Sequence, residues 1–261
     1  MLTPHNTFKQ SLHNAELQIG LWLALANSYS AELCATCGFD WLLIDGEHAP
    51  VDLRTILASL QAVAAYSSHP VVRIPKGDEA LIKQVLELGA TTLLVPMVDS
   101  ADEAQRLVRT TRYPPEGIRG VGSGVARSSR WTQFSDYVSK TNDEVCLLVQ
   151  AETQEALANI EEIAAVDGVD GVFIGPSDLA ASMGLLGQPS HLEVRKAVID
   201  GLQRIARTGK AAGVLCADEP LARVYIEAGA RFVAVGIDTS LLLKSAASLA
   251  DRFKHAGDAV N

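Results

Sequence analysis

The chain has 261 residues, of which 48% are hydrophobic and 20% are charged, a composition typical of a folded globular protein. Its formal net charge is −9, and no segment carries the clustered basic residues expected of a nucleic-acid-binding protein. No run reaches the roughly 18 apolar residues that a membrane-spanning helix needs, and the first residues lack the apolar core of a signal peptide. We therefore expect a cytoplasmic protein that binds neither nucleic acid nor membrane.

The four cysteines do not form the dense pattern of a disulfide framework, which agrees with a reducing compartment. Cys34 and Cys37 form a single C-x-x-C motif, which could be a redox pair or half of a zinc site. The second C-x-x-C motif of a zinc site is missing. We therefore favour the simpler interpretation, in which both cysteines are small apolar residues of a helix from about Ser30 to Gly38.

Eight short runs rich in leucine and β-branched residues alternate with longer segments of helical period. Most of the runs are apolar throughout, which indicates strands buried on both faces of a parallel sheet. In chain order the runs are Gln18–Leu25, Asp40–Asp45, Pro70–Ile74, Thr92–Met97, Val145–Glu152, Gly171–Gly175, Ala211–Cys216 and Arg231–Gly236.

Eight such β/α units predict one α/β domain, a (β/α)8 barrel that spans residues 1–261. The alternative fold is a doubly wound open sheet, which would carry a phosphate-binding G-x-G-x-x-G motif after the first strand. The first run is instead followed by Ala26-Asn27-Ser28, without glycine. Asp52, Asp78 and Ser100 are placed to cap the helices that follow the second, third and fourth strands.

Two segments depart from this alternation. Of residues 98–144, only the first third has a helical pattern, and the remainder is rich in Gly, Pro, Ser and Arg. Loops of this length in compact domains are commonly functional. The last predicted helix, about Thr239–His255, is rich in Ala and Leu, and we expect it either to close the barrel or to pack on a neighbouring subunit.

Polar residues follow several of the predicted strands at the points where the strands end. Because the active site of a barrel lies at the carboxyl ends of its strands, these residues are expected to meet at one mouth. They are Asp45, Glu47 and His48 after the second strand, Arg73 after the third, Gln150 and Glu152 after the fifth, and Ser177 and Asp178 after the sixth. A single carboxylate after a strand is most often a helix N-cap, and we leave Asp52, Asp218 and Asp238 with that interpretation.

Glu152 is distinguished by its register with Gln150. Side chains alternate along a strand, so both would point to the barrel interior or its mouth, where an unpaired carboxylate is costly. Asp178 lies just past the adjacent sixth strand and can reach the same ion as Glu152. Two carboxylates with several waters suit Mg²⁺ or Mn²⁺ better than zinc, and they leave coordination positions open for a bidentate substrate.

His48 alone among the six histidines lies among carboxylates at a predicted strand end. We expect it to be a general base, with a structural histidine as the alternative. Arg73 could form a fold-stabilising ion pair, but beside a metal site we favour an anion or oxyanion binder. The other five histidines are expected at the surface: His5, His13, His69, His191 and His255.

The positions of the lysines bear on which chemistry the mouth supports. A Schiff-base mechanism needs a lysine that projects into the barrel mouth. Of the eight lysines, only Lys76 lies near a strand end, and Gly77-Asp78 place it in a loop. A metal-dependent mechanism is therefore favoured. Gly122-Ser123-Gly124 is not taken as a phosphate-binding loop, because no Walker lysine follows it.

The strings WLLIDGEHAP, PVVR, LLVPMV, RYPPEGIRGVG, VQAET and GVDGVFIGPSDL occur in this order along nearly the whole chain. With them, the chain resembles the class II 2-oxo-acid aldolases of the 4-hydroxy-2-oxoheptanedioate aldolase family, of which 2-dehydro-3-deoxyglucarate aldolase is a close relative. The start IGLWL and the loop GIRGVG are nearer to the heptanedioate enzymes. Together these strings are specific, whereas any one of them alone is not.

The resemblance implies catalytic roles for three residues. His48 matches the catalytic base of the family, and Arg73 matches the arginine that stabilises the transition state. The family also has an acidic residue near the end of the third helix that raises the basicity of the histidine. That residue is commonly Asp, and Glu87 stands at the matching position here.

The resemblance also implies the binding residues and the cofactor. Gln150 binds substrate, Glu152 binds the metal ion, and Asp178 belongs to both sites. The residue before this aspartate binds substrate through its backbone; it is usually Ala in the family and is Ser177 here, a change that leaves a backbone contact possible. The implied ion is Mg²⁺, Mn²⁺ or Co²⁺, and the implied assembly is a homohexamer.

The implied reaction is the reversible cleavage of 4-hydroxy-2-oxoheptanedioate into pyruvate and succinate semialdehyde, in the breakdown of aromatic compounds. The alternative is cleavage of 2-dehydro-3-deoxyglucarate into pyruvate and tartronate semialdehyde. Arg119, Arg127 and Arg130 of the long loop could bind a distal carboxylate of the substrate. Two other functions stay open: a lyase acting on a coenzyme A ester, which would need a basic groove that we do not find, and a non-catalytic barrel, which the full set of site residues disfavours.

Overall fold

The structure, a computed structural model, describes residues 1–254. Eight parallel strands pair in chain order, and the last pairs with the first to close a barrel. The (β/α)8 barrel predicted from the sequence is confirmed. The strands are β1 Gln18–Leu23, β2 Trp41–Asp45, β3 His69–Arg73, β4 Thr92–Val95, β5 Cys146–Ala151, β6 Gly171–Ile174, β7 Ala211–Leu215 and β8 Ala230–Ile237.

The helices begin where the sequence places capping residues. Asp52, Asp78 and Ser100 each accept a hydrogen bond from a backbone N–H in the first turn of the helix that follows, as expected. The α-helices in residues 1–254 are α1 Thr7–His13, α2 Ser28–Ala35, α3 Leu53–Val63, α4 Glu79–Glu87, α5 Ala101–Thr111, α6 Tyr137–Glu144, α7 Gln154–Ala158, α8 Ile160–Ala165, α9 Pro176–Ser182, α10 Leu192–Arg207, α11 Glu219–Glu227 and α12 Asp238–Lys254.

The apolar strands are explained by burial on both faces. Every residue of β2, β4, β5 and β6 is buried, because one face packs on the helices and the other fills the barrel. The barrel interior contains Trp22, Trp41, Phe173 and Phe232 in aromatic contact, so it is a packed core and not a channel.

Glycines in the strands make room for these aromatic side chains. A Cβ added to Gly20 would lie 2.2 Å from the Trp41 ring, and one added to Gly213 would lie 2.3 Å from the Phe232 ring. The interior is therefore packed by pairing the smallest residue with the largest ones.

The N-terminal helix α1, which the sequence patterns did not predict, closes the barrel at the amino ends of the strands. Its Phe8 is buried against Trp41 and stacks on the ring of His69, with ring centroids 6.0 Å and 5.3 Å apart. His69 is therefore half-buried beneath Phe8, and not fully at the surface as expected. Burial lowers the pKa of His69 to about 4, and its Nε2 lies 2.7 Å from the hydroxyl of Thr92.

Of the other histidines expected at the surface, His5 and His13 are largely exposed, each beside a carboxylate, Glu144 and Asp170 respectively. The side chain of His191 is partly exposed and accepts a hydrogen bond at the start of α10. His255, and with it the predicted end of the last helix, lies outside the described residues.

The long segment between β4 and β5 lies at the amino ends of the strands, because α5 carries the chain there and β5 starts there. Beyond α5 it contains a short 3-10 helix, Arg127–Ser129, and α6, which composition did not predict. Arg119 is buried, with its guanidinium 4.5 Å from the Tyr113 ring centroid and a hydrogen bond to Tyr137. Arg119, Arg127 and Arg130 therefore do not reach the carboxyl ends of the strands in their own chain, which corrects the expectation that they bind substrate there.

The C-terminal helix α12 does not cover the barrel within its own chain. Its main contacts among residues 1–254 are with β1 and β8. Every residue from Leu241 to Lys254 is exposed. Leu241, Leu242 and Leu243 lie in its first turns, so the helix presents apolar side chains with nothing from residues 1–254 packed over them.

The cysteine expectation is confirmed for one residue and wrong for the other. Cys34 is buried within α2, whereas Cys37 lies beyond the end of that helix and is exposed. All four cysteines are free thiols. Among residues 1–254, no helix combines the length and the apolar character needed to cross a membrane.

Replacing Gly20 with alanine is expected to destabilise the barrel, because the added Cβ would overlap the buried Trp41 ring. We expect the free energy of unfolding to fall by about 1–3 kcal/mol, as for other overpacked cores. Urea unfolding measures the change. Gly124→Ala is the matched control, because a Cβ there meets no atom within 4 Å. Equal stability of the two variants would contradict the packing described for β1.

Candidate active site at the carboxyl ends of the strands

A cavity of about 470 Å³ opens at the carboxyl ends of the strands. Five of the predicted site residues line it: His48, Arg73, Gln150, Ser177 and Asp178. The apolar part of its wall comes from Trp22, Phe173, Leu215 and Ile237. No lysine lines this cavity, and Lys76 is exposed in the loop after β3, as its sequence context predicted.

Asp45, the last residue of β2, organises one side of the cavity. It lies in register with Arg73 of β3, and its two oxygens accept hydrogen bonds from Nε and Nη2 of this arginine at 3.0 and 2.7 Å. Trp22 Nε1 donates to the same carboxylate at 3.1 Å, and the backbone N–H groups of Glu47 and His48 donate at 3.0 and 3.2 Å. Burial alone would raise the pKa of Asp45, but the hydrogen bonds and charge of Arg73 outweigh it and lower the pKa.

Arg73 is 6% exposed and is held on several sides. Besides its bidentate pair with Asp45, its Nη1 lies 2.9 Å from Glu47 Oε2, and its Cζ lies 4.9 Å from the Trp22 ring centroid. The sequence left an ion pair and an anion binder as alternatives for Arg73. The structure shows the ion pair and also places the guanidinium at the cavity wall, so the two roles are compatible.

His48 follows Glu47 in the chain and is more exposed than Asp45, Glu47 and Arg73. Its side chain is 66% exposed, and its Nε2 lies 3.8 Å from Glu47 Oε2. Burial raises the pKa of Glu47, and the charges of Arg73 and His48 oppose that increase. Sequence reasoning placed Asp45 and Glu47 at the mouth with His48 but assigned no role to either of them.

Glu152 follows β5 and is buried, as its register with Gln150 predicted. One of its oxygens accepts a hydrogen bond from the Met97 backbone N–H at 2.9 Å, and the other accepts one from the Gln150 side-chain amide. Met97 has φ of 56°, a left-handed conformation that is uncommon outside glycine, just past the end of β4. Sequence reasoning missed Met97, because a backbone contact leaves no signature in the side-chain pattern.

The surroundings of Glu152 suit a divalent cation. Burial raises the pKa of Glu152 to about 7, and the negative charges of Asp178 and Glu47 raise it as well. A Cβ added to Gly175 would lie 2.5 Å from Glu152 Oε2, so only a glycine backbone fits beside this carboxylate. Among residues 1–254, no cluster of three His, Cys, Asp or Glu side chains is placed to hold a metal ion. Mg²⁺ does not need such a cluster, because proteins commonly hold it through one or two carboxylates together with waters and substrate.

Glu87 is not brought to His48 within one chain. It is the last residue of α4, next to the amino end of β4, whereas His48 lies at the carboxyl end of β2. It lies beside the long loop, where a Cβ added to Gly122 would lie 2.6 Å from Glu87 Oε1. The expected pairing of the two side chains therefore does not form inside a single chain.

A protein-family model described as HpcH/HpaI aldolase/citrate lyase matches residues 18–245. The chain is 61% identical to a hydroxypyruvate/pyruvate aldolase of Pseudomonas aeruginosa over 96% of its own length and 94% of that protein. It is 59% identical to a 4-hydroxy-2-oxo-heptane-1,7-dioate aldolase of Klebsiella pneumoniae, over 96% of its own length and 95% of that protein.

A solved structure of a HpcH/HpaI aldolase/citrate lyase family protein from Burkholderia cenocepacia superposes with a TM-score of 0.92 and 40% identity. The superposition covers 95% of this chain and 99% of that one. The barrel fold is therefore shared over 95% of this chain.

Glu152 is expected to give up a proton when a metal ion binds. Because its pKa is raised to about 7, it is protonated in most molecules well below that pH, and a metal ligand must be ionised. We expect Mn²⁺ binding to release nearly one proton at about pH 6 and far less at about pH 8.5. Calorimetric titration in buffers of different ionisation enthalpy measures the release.

The control for this titration is Glu155→Gln, which removes an exposed carboxylate close by in the sequence and should leave the proton release unchanged. Metal binding without proton release at the lower pH would show that Glu152 is not the ligand that ionises.

Proposed function

Because the chain belongs to the HpcH/HpaI aldolase/citrate lyase family, we propose that it is a divalent-metal-dependent aldolase that reversibly cleaves 4-hydroxy-2-oxoheptanedioate into pyruvate and succinate semialdehyde. The observation that carries the proposal is the convergence of Asp178, Arg73 and His48 at one cavity, with the buried Glu152 directly behind the lining residues Gln150 and Gly175 and close enough for the charge of Asp178 to raise its pKa. The names of relatives at 57–59% identity support the choice of substrate.

Glu152 and Asp178 would hold the metal ion, which we propose is Mg²⁺, Mn²⁺ or Co²⁺. When bound, such an ion supplies positive charge that stabilises the developing enolate. Gln150 orients Glu152 through its side-chain amide, while its own Oε1 is buried without a partner among residues 1–254 and is free to accept a hydrogen bond from substrate or water. The backbone of Ser177, at the start of α9, would bind the substrate carboxylate.

His48 would accept the proton of the C4 hydroxyl, directly or through a water, since its exposed ring stands at the cavity rim beside Glu47. As the proton leaves, the C4–O bond becomes the carbonyl of the aldehyde and the C3–C4 bond breaks. The electron pair of the C3–C4 bond stays with the pyruvate fragment, which leaves as the enolate. Arg73 would stabilise the enolate oxygen, and its bonds to Asp45 fix it in advance of the reaction. Protonation of the enolate at C3 then gives pyruvate.

A second candidate reaction uses hydroxypyruvate in place of pyruvate. The observation that favours it is the name hydroxypyruvate/pyruvate aldolase, borne by relatives from Pseudomonas aeruginosa and Deinococcus radiodurans at 61% and 62% identity. The chemistry would be the same, because both 2-oxo acids form an enolate next to the carboxylate. The names of these relatives offer no comparable support for cleavage of 2-dehydro-3-deoxyglucarate.

We also propose that the chain acts as a homohexamer in the cytoplasm, where its four free thiols would stay reduced. The exposed apolar residues of α12 support assembly, since they would be buried against a neighbouring subunit. Assembly is also the route by which Glu87 of one copy could approach His48 of another and raise its basicity.

The proposed function predicts pyruvate release from 4-hydroxy-2-oxoheptanedioate that a chelator abolishes and Mg²⁺ or Mn²⁺ restores. Glu152→Gln should lose this activity together with metal binding, whereas the exposed Glu155→Gln should retain both. Borohydride added with pyruvate should trap no adduct, because no lysine lines the cavity. Chelator-resistant activity or a reduced covalent adduct would contradict a metal-dependent mechanism.

A further inference from the structure

Asp238 has contacts that go beyond those of a helix cap. It is the first residue of α12, directly after β8, and it is 5% exposed. One carboxylate oxygen accepts hydrogen bonds from the backbone N–H groups of Thr239 and Ala24, at 2.7 and 2.8 Å, and the other accepts one from Leu25 at 3.1 Å. A buried carboxylate needs such partners, and two of the three come from the far side of the barrel closure, at the end of β1.

Asp238 lies where β8 pairs with β1 to close the barrel, and this pairing is irregular. The pairing of β1 with β8 shifts register between Gly20 and Trp22, and its last pair is Trp22 with Ile237. Beyond that pair, the carboxylate of Asp238 accepts hydrogen bonds from the backbone N–H groups of Ala24 and Leu25, the two residues that follow β1. Ala26 follows with a φ of 53°. This left-handed backbone conformation is unfavourable for alanine, so the contacts around the loop after β1 must hold it there.

The residues on either side of this closure form a wall of the cavity. Trp22, Ala24, Ile237 and Thr239 all line it. In a barrel whose eight strands pair in chain order, β1 lies opposite β5, so this wall faces Glu152 across the cavity. If the carboxylates and Arg73 hold the pyruvate part of the substrate, the wall at β1 and β8 faces the aldehyde part.

We propose that Asp238 is a positioning residue that sets the wall of the site facing the aldehyde, by holding the end of β1 on the start of α12. The proposal rests on the aldolase function and adds a role for a residue that touches neither the metal site nor the substrate. It separates the two halves of the reaction: formation of the enolate depends on the side of the cavity near Glu152, and capture of the aldehyde depends on the wall that Asp238 holds.

The test compares Asp238→Asn with Asp52→Asn. Both changes replace the carboxylate of a residue at a helix start, but Asp52 is exposed and binds only within its own first turn. Asparagine has the shape of aspartate, yet its amide group cannot accept from all three N–H groups. We expect kcat/KM for cleavage to fall about tenfold in Asp238→Asn, less than the roughly 100-fold loss that a 1 Å misplacement of reacting groups can cause. We expect the exchange of pyruvate methyl protons with D2O, which needs no aldehyde, to change far less.

Equal losses in cleavage and in methyl exchange would show a general structural effect and overturn the proposal, as would kinetics that match Asp52→Asn. Amide hydrogen exchange is the second measurement, because it needs no activity. In the wild-type protein the amides of Ala24 and Leu25 should be protected, and in Asp238→Asn that protection should fall. Unprotected amides at both positions in the wild type would overturn the proposal even if the variant does not fold. Absence of cleavage by the wild type would instead count against the aldolase function.

Discussion

The negative charge at the barrel mouth is the constraint on which the site depends. Asp45 and Glu47 pair with Arg73, and the pKa of the buried Glu152 is raised to about 7 by burial and by the charges of Asp178 and Glu47. One arginine already paired with two carboxylates cannot neutralise the others. A divalent cation between Glu152 and Asp178 would relieve this imbalance, and it is the same charge that the proposed enolate chemistry requires.

The rigidity of Arg73 follows from the way the barrel interior is packed. Trp22 belongs to the aromatic core, and its indole both donates to Asp45 and lies beside the guanidinium. The position of Trp22 is in turn set by its contact with Phe173 in that core and by its pairing with Ile237 of β8. Arg73 is therefore supported through packed and hydrogen-bonded contacts that extend across the mouth, which favours a site formed before substrate arrives.

Much of the fold could be predicted because each strand is a short apolar run and each helix cap is a local signal. The side chains that follow the strands, such as His48 and Glu152, could be assigned to the site because barrel geometry brings strand ends together. The sequence patterns did not predict helices α1 and α6. Short helices at the amino ends of the strands depend on tertiary contacts, such as that of Phe8 with Trp41. Asp45, Met97 and Asp238 were missed or under-assigned because their partners come from other strands or from the backbone. Glu87 was assigned through the family resemblance alone, and in its own chain it ends α4, at the opposite end of the barrel from His48.

The most direct test of the metal-dependent site is a crystal structure of the protein with Mn²⁺ and pyruvate, with anomalous scattering used to locate the ion. We predict a single strong anomalous peak at the cavity, within coordination distance of one oxygen from Glu152 and one from Asp178, with pyruvate beside Arg73. An ion bound instead to Asp45 and Glu47, or pyruvate bound in the cavity with no ion at Glu152, would contradict the assignment.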